Sequence, residues 1–228
     1  TPILSHKAGG ALANPFITKS NALKTDLHLR IAPELYLKQL IISGFEKVFE
    51  IGKNFRNEDI SIKHNPEFTS CEFYKAYADY LDLIQMTKDF IKKMAIEVTG
   101  DTRLIYGDKV IDLNEFEALD VNTEIEKYFG TKLSLDKSEY YSQIDKLYKD
   151  LNNHIPAPNT KKKLERLIEH IIEPKSETKP LFIINHPVLL SPLAKNKPDN
   201  PLLTERFEFF INKMELINAY SELTDPIE

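Results

Sequence analysis

The sequence predicts an α+β fold, in which antiparallel strand pairs and amphipathic helices follow one another along the chain. Residues 48–55 and 68–77 are rich in aromatic and β-forming side chains, and the polar stretch 59–66 between them ends in an Asn-Pro turn signal. Residues 205–211 and 214–223 alternate like a second antiparallel pair joined by a tight turn. Apolar residues at helical spacing lie between the two pairs, which gives the chain its helical component.

The helices are predicted from the spacing of apolar side chains and from their end signals. After a short strand at 28–32, Pro33 opens a helix that runs to about residue 43, because the missing N–H of proline has no partner in a first turn. A core-packing helix is expected over 80–99, with Gly100 as its C-cap. The other expected elements are two short strands within 104–113, a mainly helical stretch at 121–173 and a strand at 180–185.

Composition and charge narrow the functional classes. At 228 residues with 42% apolar side chains, the chain can bury one large core or two small ones. The net charge is −5 although 30 residues are Lys or Arg, so a nucleic acid would have to bind a local basic face or another domain. The basic run Lys161-Lys162-Lys163 could contact RNA phosphate, but such runs are usually solvated surface.

Cysteine usage and hydropathy indicate the cellular setting. Cys71 is the single cysteine, which excludes an intrachain disulfide and fits a reducing compartment. Its position in a predicted strand favours a buried structural thiol over a nucleophile. No apolar run approaches the ~18 residues needed to cross a bilayer, and no signal-peptide pattern is present. We therefore expect no membrane partner and a cytoplasmic location.

Two groups of charged residues carry chemistry by their type and spacing. Arg56 leaves the first strand pair, and its guanidinium fork can bridge a carboxylate and a phosphate at once; an ordinary salt-bridged hairpin is the alternative. Glu208 and Glu215 lie on neighbouring strands of the second pair, where they could bind Mg²⁺ together with nucleotide phosphates. A surface ion pair with Arg206 or Lys213 is the alternative for these carboxylates.

A third group could hold an ammonium ion. Asn218, Tyr220 and Glu222 alternate along a strand, so their side chains share one face. An amide, a phenol and a carboxylate form a polar pocket suited to an ammonium, with Tyr74 as a further acceptor. Glu34 lies in the first turn of its helix, where the helix dipole alone would also favour a carboxylate.

The segments that contain these residues resemble a known family. The sequence Phe55-Arg56-Asn57-Glu58, followed by His64-Asn65-Pro66-Glu67-Phe68-Thr69, is similar to motif 2 of the class II aminoacyl-tRNA synthetases, in the form found in lysyl enzymes. Four further segments resemble lysyl-enzyme signatures and come in the family's order: 30–38, 191–195, 203–208 and 218–223.

The resemblance implies a class II synthetase catalytic domain, with a mainly antiparallel β-sheet flanked by helices. Residues 1–228 would be part of that domain, because we expect the anticodon-binding domain and motif 3 to be absent from them, and the isolated chain would be weakly active or inactive. Residues 1–2 would be the tail of motif 1, so a homodimer is implied for the intact enzyme rather than for this chain alone. The remaining divisions are motif 2 at about 47–77, a helical insertion at about 121–173 and a closing hairpin at about 204–224.

The implied activity is that of a lysine–tRNA ligase of subclass IIb. Such an enzyme activates L-lysine with ATP to lysyl-adenylate and diphosphate, with Mg²⁺ as cofactor. It then transfers lysine to the 3′ end of tRNA(Lys) for protein synthesis and releases AMP. No side chain is needed as a covalent nucleophile.

The resemblance also assigns roles to individual residues. Arg56 would be catalytic, since it would bridge the lysine carboxylate and the α-phosphate. Phe73 would stack under adenine. The ATP-binding residues would be Arg56, Asn57, Glu58, His64, Asn65, Phe73, Glu215 and Leu216. The lysine-binding residues would be Gly10, Glu34, Glu72, Tyr74, Asn218, Tyr220 and Glu222, and the Mg²⁺ ligands would be Glu208 and Glu215.

Three alternatives share parts of this pattern. A lysyltransferase paralogue that modifies elongation factor P has the same His-Asn-Pro-Glu-Phe-Thr run, but segments 191–195 and 218–220 look more like the synthetase. A non-catalytic binding module derived from a synthetase is the second. Aspartyl and asparaginyl enzymes are disfavoured, because Glu222 suits a cationic substrate. The chain departs from the family at Leu202, where glycine is usual, and at Thr224, where asparagine is usual.

Overall fold

A computed structural model describes residues 1–61, 64–151, 156–225 and 227. The chain divides into two compact units, Thr1–Tyr77 and Ala78–Glu228. The predicted α+β class is confirmed, because helices alternate with sheets whose strand pairs are antiparallel, apart from one parallel pair in the second unit. No helix in the described part of the chain is long and apolar enough to span a membrane.

The first unit consists of a small sheet, one helix and a long two-stranded ribbon. The sheet has the strand order β1-β3-β2, with both pairs antiparallel. The ribbon pairs β4 with β5 in an unbroken register from Lys47↔Lys75 to Phe55↔Glu67. The elements are β1 (Leu4–Ser5), β2 (Ile17–Ser20), β3 (Thr25–Leu29), α1 (Glu34–Ile42), β4 (Lys47–Phe55) and β5 (Glu67–Lys75). The expected strand at 28–32 therefore begins and ends three residues earlier, at Thr25 and Leu29.

The two faces of the β4–β5 ribbon differ in what covers them. On the face of the even-numbered residues, the Arg30 guanidinium lies against Gly52, forms an ion pair with Glu50 and donates from Nε to the Lys53 carbonyl oxygen at 2.8 Å. The odd-numbered face is mostly open to solvent, although it carries Phe49, Ile51 and Phe73. Phe49 is 72% exposed and Ile51 is 66% exposed.

The prediction of a buried thiol at Cys71 is wrong. Cys71 does lie in a strand, as expected, but it pairs with Ile51 on the open face of the ribbon and is exposed. A strand position fixes only the alternation of side chains between two faces, and burial depends on what packs against each face.

Gly52 is required where the ribbon meets Arg30. A Cβ atom at this position would lie 2.4 Å from Nη2 of Arg30, which is itself buried. We expect Gly52→Ala to lower the free energy of unfolding by about 1–3 kcal/mol, because Arg30 would have to leave its carboxylate partner. Urea unfolding followed by circular dichroism measures this, with Lys53→Ala on the exposed face as the control. An unchanged midpoint for Gly52→Ala would mean that Arg30 moves aside freely.

The second unit contains four α-helices, two short 3₁₀ helices, a four-stranded sheet and two smaller strand pairs among its described residues. The sheet order is β13-β12-β9-β8, in which β8 and β9 are parallel. The helices are α2 (Tyr80–Thr99), α3 (Val121–Phe129), α4 (Lys137–Asp150) and α5 (Thr160–Ile171). The strands are β6 (Arg103–Tyr106), β7 (Lys109–Asp112), β8 (Glu117–Asp120), β9 (Leu181–Ile184), β10 (Asn196–Lys197), β11 (Asn200–Thr204), β12 (Arg206–Ile211) and β13 (Met214–Tyr220).

The ends of helix α2 and the turn of the β12–β13 hairpin form where the sequence predicts them. Helix α2 covers the predicted range, starts with a capping box between Asp79 and Asp82, and ends at Gly100 with a φ of 79°. The turn between β12 and β13 has positive φ at both Asn212 and Lys213, 49° and 62°, as a two-residue hairpin loop requires.

Two hydrophobic clusters hold the second unit together. One packs α3, α4 and α5, through residues such as Ile125, Ile144 and Leu167, against side chains of the two central strands β9 and β12. The other packs α2 on an aromatic group in which the rings of Phe182 and Phe209 lie 4.7 Å apart. The helices therefore pack against the sheet, and the β12–β13 hairpin is held in place by this hydrophobic core.

Candidate functional site

The predicted site residues are distributed over both units, and each group is positioned by its own unit. The first unit holds Gly10, Glu34, Arg56, Asn57, Glu58, His64, Asn65, Glu72, Phe73 and Tyr74. The second unit holds Glu208, Glu215, Leu216, Asn218, Tyr220 and Glu222.

Four of the predicted lysine-binding residues come together in the first unit. Glu34 begins α1 and is 8% exposed. Gly10 approaches it closely, since a Cβ at Gly10 would lie 2.9 Å from Glu34 Cβ, and the φ of 89° at Gly10 also favours glycine. The Tyr74 hydroxyl donates to Glu72 Oε1 at 2.8 Å. Lys38, one turn after Glu34, places its Nζ 2.7 Å from Glu34 Oε1 and 5.8 Å from the centroid of the Tyr74 ring. The acceptors of this group therefore already lie around an ammonium.

The environment of Glu72 in this group shifts the pKa of its carboxyl group. Burial raises the pKa of the Glu72 carboxyl group, and the nearby carboxylate of Glu34 adds to the effect, while the Tyr74 hydrogen bond and the Lys38 ammonium oppose it. A cation beside Glu72 favours its ionised form, so the pocket is electrostatically suited to a positively charged ligand.

Arg56 is held by its backbone and by an aromatic ring rather than by a carboxylate. Its N–H donates to the Pro66 carbonyl oxygen at 2.8 Å, which extends the ribbon by one pair. Its guanidinium carbon lies 5.1 Å from the centroid of the Phe68 ring, and Nε donates to the Ile31 carbonyl oxygen at 3.4 Å. No carboxylate among the described residues forms an ion pair with Arg56. The salt-bridged hairpin proposed as the alternative is not what is observed there.

Phe73, predicted to stack under adenine, lies on a different face of the ribbon from other predicted binding residues. Phe73 pairs with Phe49 on the odd-numbered face of the ribbon, opposite to the face of Glu72 and Tyr74. Phe68 lies on the Glu72 face, under Arg56. The geometry therefore favours Phe68 as the ring beside a ligand of Arg56. Counting alternate positions back from Glu72 would have identified it from the sequence.

The loop after Arg56 is tied to the amino-terminal segment. The Asn57 N–H donates to the Asn14 carbonyl oxygen at 2.7 Å, and the Asn14 N–H donates to Glu58 Oε1 at 3.3 Å. His64 forms a bridge with Ser61 and places Nδ1 2.8 Å from its hydroxyl oxygen. His64 and its neighbour Asn65 are both exposed. These four predicted ATP contacts thus lie along one exposed strand-to-strand connection.

In the second unit, one face of the β12–β13 hairpin collects several predicted residues. Arg206 pairs with Tyr220 and Glu208 pairs with Asn218, so all four share a face. A bulge follows Phe209, because Phe209 pairs with Ile217 whereas the next residue pairs with Glu215. The bulge leaves Leu216 without a cross-strand partner in the β12–β13 pairing, and its side chain is exposed. Glu222, beyond the strand, forms an isolated bridge with Ala194.

Glu208 and Glu215 line the same cavity, but their environments differ. Burial alone would raise the pKa of Glu208, yet the nearby His186 imidazole and Arg206 guanidinium outweigh it and hold this pKa below its usual range. At Glu215 the Arg206 guanidinium and a hydrogen bond with Asn218 also lower the pKa, but they do not outweigh the opposing effects. Burial of its carboxylate, together with the charge of Glu208, raises the pKa of Glu215 to about 7, even though the residue as a whole is exposed.

The carboxylates of Glu208 and Glu215 suit a hard cation that also binds ligands other than protein side chains. Their mutual repulsion is what a divalent cation would relieve, and carboxylate oxygens are preferred by Mg²⁺. No group of three or more His, Cys, Asp or Glu side chains suited to a metal occurs in the described part of the chain. The remaining ligands would therefore have to come from phosphate or water.

The repulsion at Glu215 should be visible in the pH dependence of stability. The raised pKa means that the folded state binds more protons than the unfolded state between about pH 4.5 and 7, so stability falls as the pH rises through this window. In metal-free buffer, we expect Glu215→Gln to stabilise the protein at pH 8 and to lose this advantage toward pH 4.5. Because the residue is exposed, the gain should not exceed about 1 kcal/mol.

Urea unfolding at several pH values checks this expectation, with Glu97→Gln on the exposed side of α2 as the matched control. Parallel pH profiles for the wild type and Glu215→Gln would contradict it.

The chain is similar to known proteins over its whole length. The family model described as tRNA synthetases class II (D, K and N) matches residues 1–228. The chain is 43% identical over 242 residues to a probable cytoplasmic lysine–tRNA ligase of Encephalitozoon cuniculi, covering 100% of this chain and 47% of the relative. It is 45% identical over 231 residues to a lysine–tRNA ligase of Clostridium perfringens, covering 100% and 46%. A lysine–tRNA ligase of Pelotomaculum thermopropionicum is 44% identical over 235 residues, with 100% and 45% covered. The chain spans about half the length of the curated relatives it matches.

Proposed function

Because the chain belongs to the class II tRNA synthetases of the D, K and N family, we propose that it forms the lysine- and ATP-binding part of a lysine–tRNA ligase. The observation that carries the proposal is the group around Lys38. Two carboxylates, Glu34 and Glu72, and the phenol of Tyr74 lie around an ammonium, the functional group that distinguishes lysine from aspartate and asparagine. A site with buried acceptors selects strongly for the ligand that supplies the matching donors.

In the first step, a carboxylate oxygen of lysine forms a bond to the α-phosphorus of ATP. The bond from that phosphorus to the bridging oxygen breaks, and its electron pair leaves with diphosphate, which gives lysyl-adenylate. Arg56 would contact the lysine carboxylate and the α-phosphate together, because its guanidinium is held by Phe68 and carries no ion pair among the described residues. Such chemistry depends mainly on positioning and on charge neutralisation.

Asn218, Tyr220 and Glu222 of the second unit are further candidates for lysine binding. Asn218, Tyr220 and Glu222 follow one another at alternate positions, and we assign the carboxylate of Glu222 to the lysine side-chain ammonium. Gly10 would allow the backbone to approach the substrate closely beside Glu34.

Glu208 and Glu215 would hold Mg²⁺, which supplies charge neutralisation to the phosphates of bound ATP when present. The contacts of Asn57, Glu58, His64 and Asn65 would position the nucleotide along the exposed loop of the first unit. We assign the ring under adenine to Phe68 in place of Phe73, because Phe68 lies on the same face of the ribbon as Glu72 and Phe73 lies on the opposite face.

In the second step, a hydroxyl of the terminal ribose of tRNA(Lys) attacks the lysyl carbonyl carbon, AMP leaves, and the hydroxyl proton is released. We further propose that the intact enzyme is a cytoplasmic homodimer and that residues 1–228 form part of its catalytic domain.

The test is amino-acid-dependent ATP–pyrophosphate exchange by the product of the whole reading frame, with lysine compared against aspartate and asparagine. We expect exchange with lysine only, followed by lysylation of tRNA(Lys). Exchange without tRNA lysylation, but with lysylation of elongation factor P, would favour the paralogue. No exchange with any amino acid would overturn the proposal in favour of a binding module.

A further inference from the structure

A cavity of the second unit is bounded by α5 and by the β12–β13 hairpin. Its charged lining includes Glu169 and Glu173 on the helical side, and Arg206, Glu208 and Glu215 on the hairpin side. His186, which follows β9, also lines it. Lys161 of α5 lies in the same lining. Glu173 increases the negative potential around the two carboxylates to which we assign Mg²⁺, since it is among the charges that raise the pKa of Glu215.

His186 is an unusual residue in this lining. It is 1% exposed, and neither ring nitrogen has a hydrogen-bond partner among the described residues. Its carbonyl oxygen accepts hydrogen bonds from the Thr204 N–H at 2.9 Å and from the Thr204 hydroxyl at 2.8 Å, so its backbone is fixed. A buried polar group without a partner destabilises a fold, so its presence here calls for a function.

The Glu208 carboxylate lies close to the imidazole of His186. His186 Nε2 lies 3.3 Å from Glu208 Oε2 without completing a hydrogen bond. The other oxygen, Oε1, accepts from the Arg206 guanidinium, which is itself anchored to the Leu190 carbonyl oxygen and the Ser191 hydroxyl, both at 2.8 Å. One oxygen of Glu208 is therefore held firmly, and the second has a donor within reach.

We propose that His186 is a positioning residue for the divalent-cation site. Its Nε2–H completes the hydrogen bond to Oε2 of Glu208 when this carboxylate binds the cation, so that Arg206 and His186 together fix both oxygens. Metal-binding carboxylates are commonly oriented by such hydrogen bonds, whose removal weakens metal affinity by about 10–100-fold. The inference rests on the proposed function, because that function assigns the cation to Glu208.

The test compares three substitutions of His186. Phenylalanine keeps the ring and removes the donor, asparagine places an amide near the Nδ1 position, and glutamine places one near Nε2. Mn²⁺ affinity is measured by water-proton relaxation in the presence of β,γ-imido-ATP. We expect His186→Phe and His186→Asn to weaken Mn²⁺ binding by about 10-fold or more, and His186→Gln to stay within about 3-fold of the wild type.

His170→Phe is the matched control, because His170 is an exposed residue of α5 that packs against Tyr128 and does not line the cavity. If His186→Phe fails to fold, the contrast between the glutamine and asparagine variants still decides the question. Equal Mn²⁺ affinity in these two variants would overturn the role of His186.

Different measurements would overturn the proposed function and the role of His186. Wild-type protein without lysine-dependent exchange would overturn the proposed function. Wild-type protein that exchanges with lysine, alongside folded His186 variants of unchanged Mn²⁺ affinity, would overturn the inference alone.

Discussion

Replacing Arg56 by alanine is expected to lower lysine-dependent ATP–pyrophosphate exchange by about 10³-fold or more. Removing a preorganised donor from a developing charge typically reduces the rate 10²–10³-fold, and arginines that stabilise phosphoryl-transfer transition states contribute about 10³–10⁵-fold. Arg56 is preorganised here, since its backbone extends the ribbon and its guanidinium lies over Phe68. The measurement is the initial exchange rate at saturating lysine and ATP.

Two variants make this result interpretable. Arg56→Lys keeps the charge but not the planar fork, so we expect an exchange rate between those of the wild type and Arg56→Ala. Arg103→Ala is the control, because Arg103 is an exposed arginine paired only with Asp101 among the described residues. If Arg56→Ala kept exchange within tenfold of the wild type, Arg56 would not be the group that bridges the two substrates.

Glu72→Gln is expected to raise the KM for lysine about 10²-fold and to change the KM for ATP little. The substitution keeps the shape of the side chain but removes the charge that faces an ammonium, and losing one partner of a hydrogen-bonded charge pair costs about 2–5 kcal/mol. Glutamine also disturbs the contact with Tyr74, since its amide can present a donor to the hydroxyl that now donates to the carboxylate. Steady-state exchange kinetics with lysine varied at saturating ATP measure the effect.

The same strand offers a matched control. Glu67 begins β5, its side chain is largely exposed, and it pairs with Lys53 at 3.2 Å on the open face of the ribbon. Glu67→Gln should leave the KM for lysine within about twofold, as exposed ion pairs contribute little. Similar KM values for Glu72→Gln and the wild type would remove Glu72 from the lysine pocket.

Local patterns were sufficient for most of the elements. The spacing of apolar residues gave α2 with its glycine cap, and alternation around a two-residue turn gave the β12–β13 hairpin. Strand β8 was not predicted, because Glu117–Asp120 is a short stretch with few β-forming residues, and its parallel pairing with β9 is set by tertiary contact. The bulge that leaves Leu216 outside the β12–β13 pairing is likewise invisible to a period-two pattern.

The sequence by itself determined the family, the strand pairs and which residues alternate together, because these follow from residue types at fixed spacing. The tertiary structure decided which face of each element is covered. On the ribbon, the apolar residues Phe49 and Ile51 are exposed, while Arg30, from outside the ribbon, packs with Glu50 and Gly52 on the opposite face. Alternation shows that two faces differ, but burial depends on side chains distant in the chain. For the same reason Cys71 is exposed and His186 is buried beside Glu208.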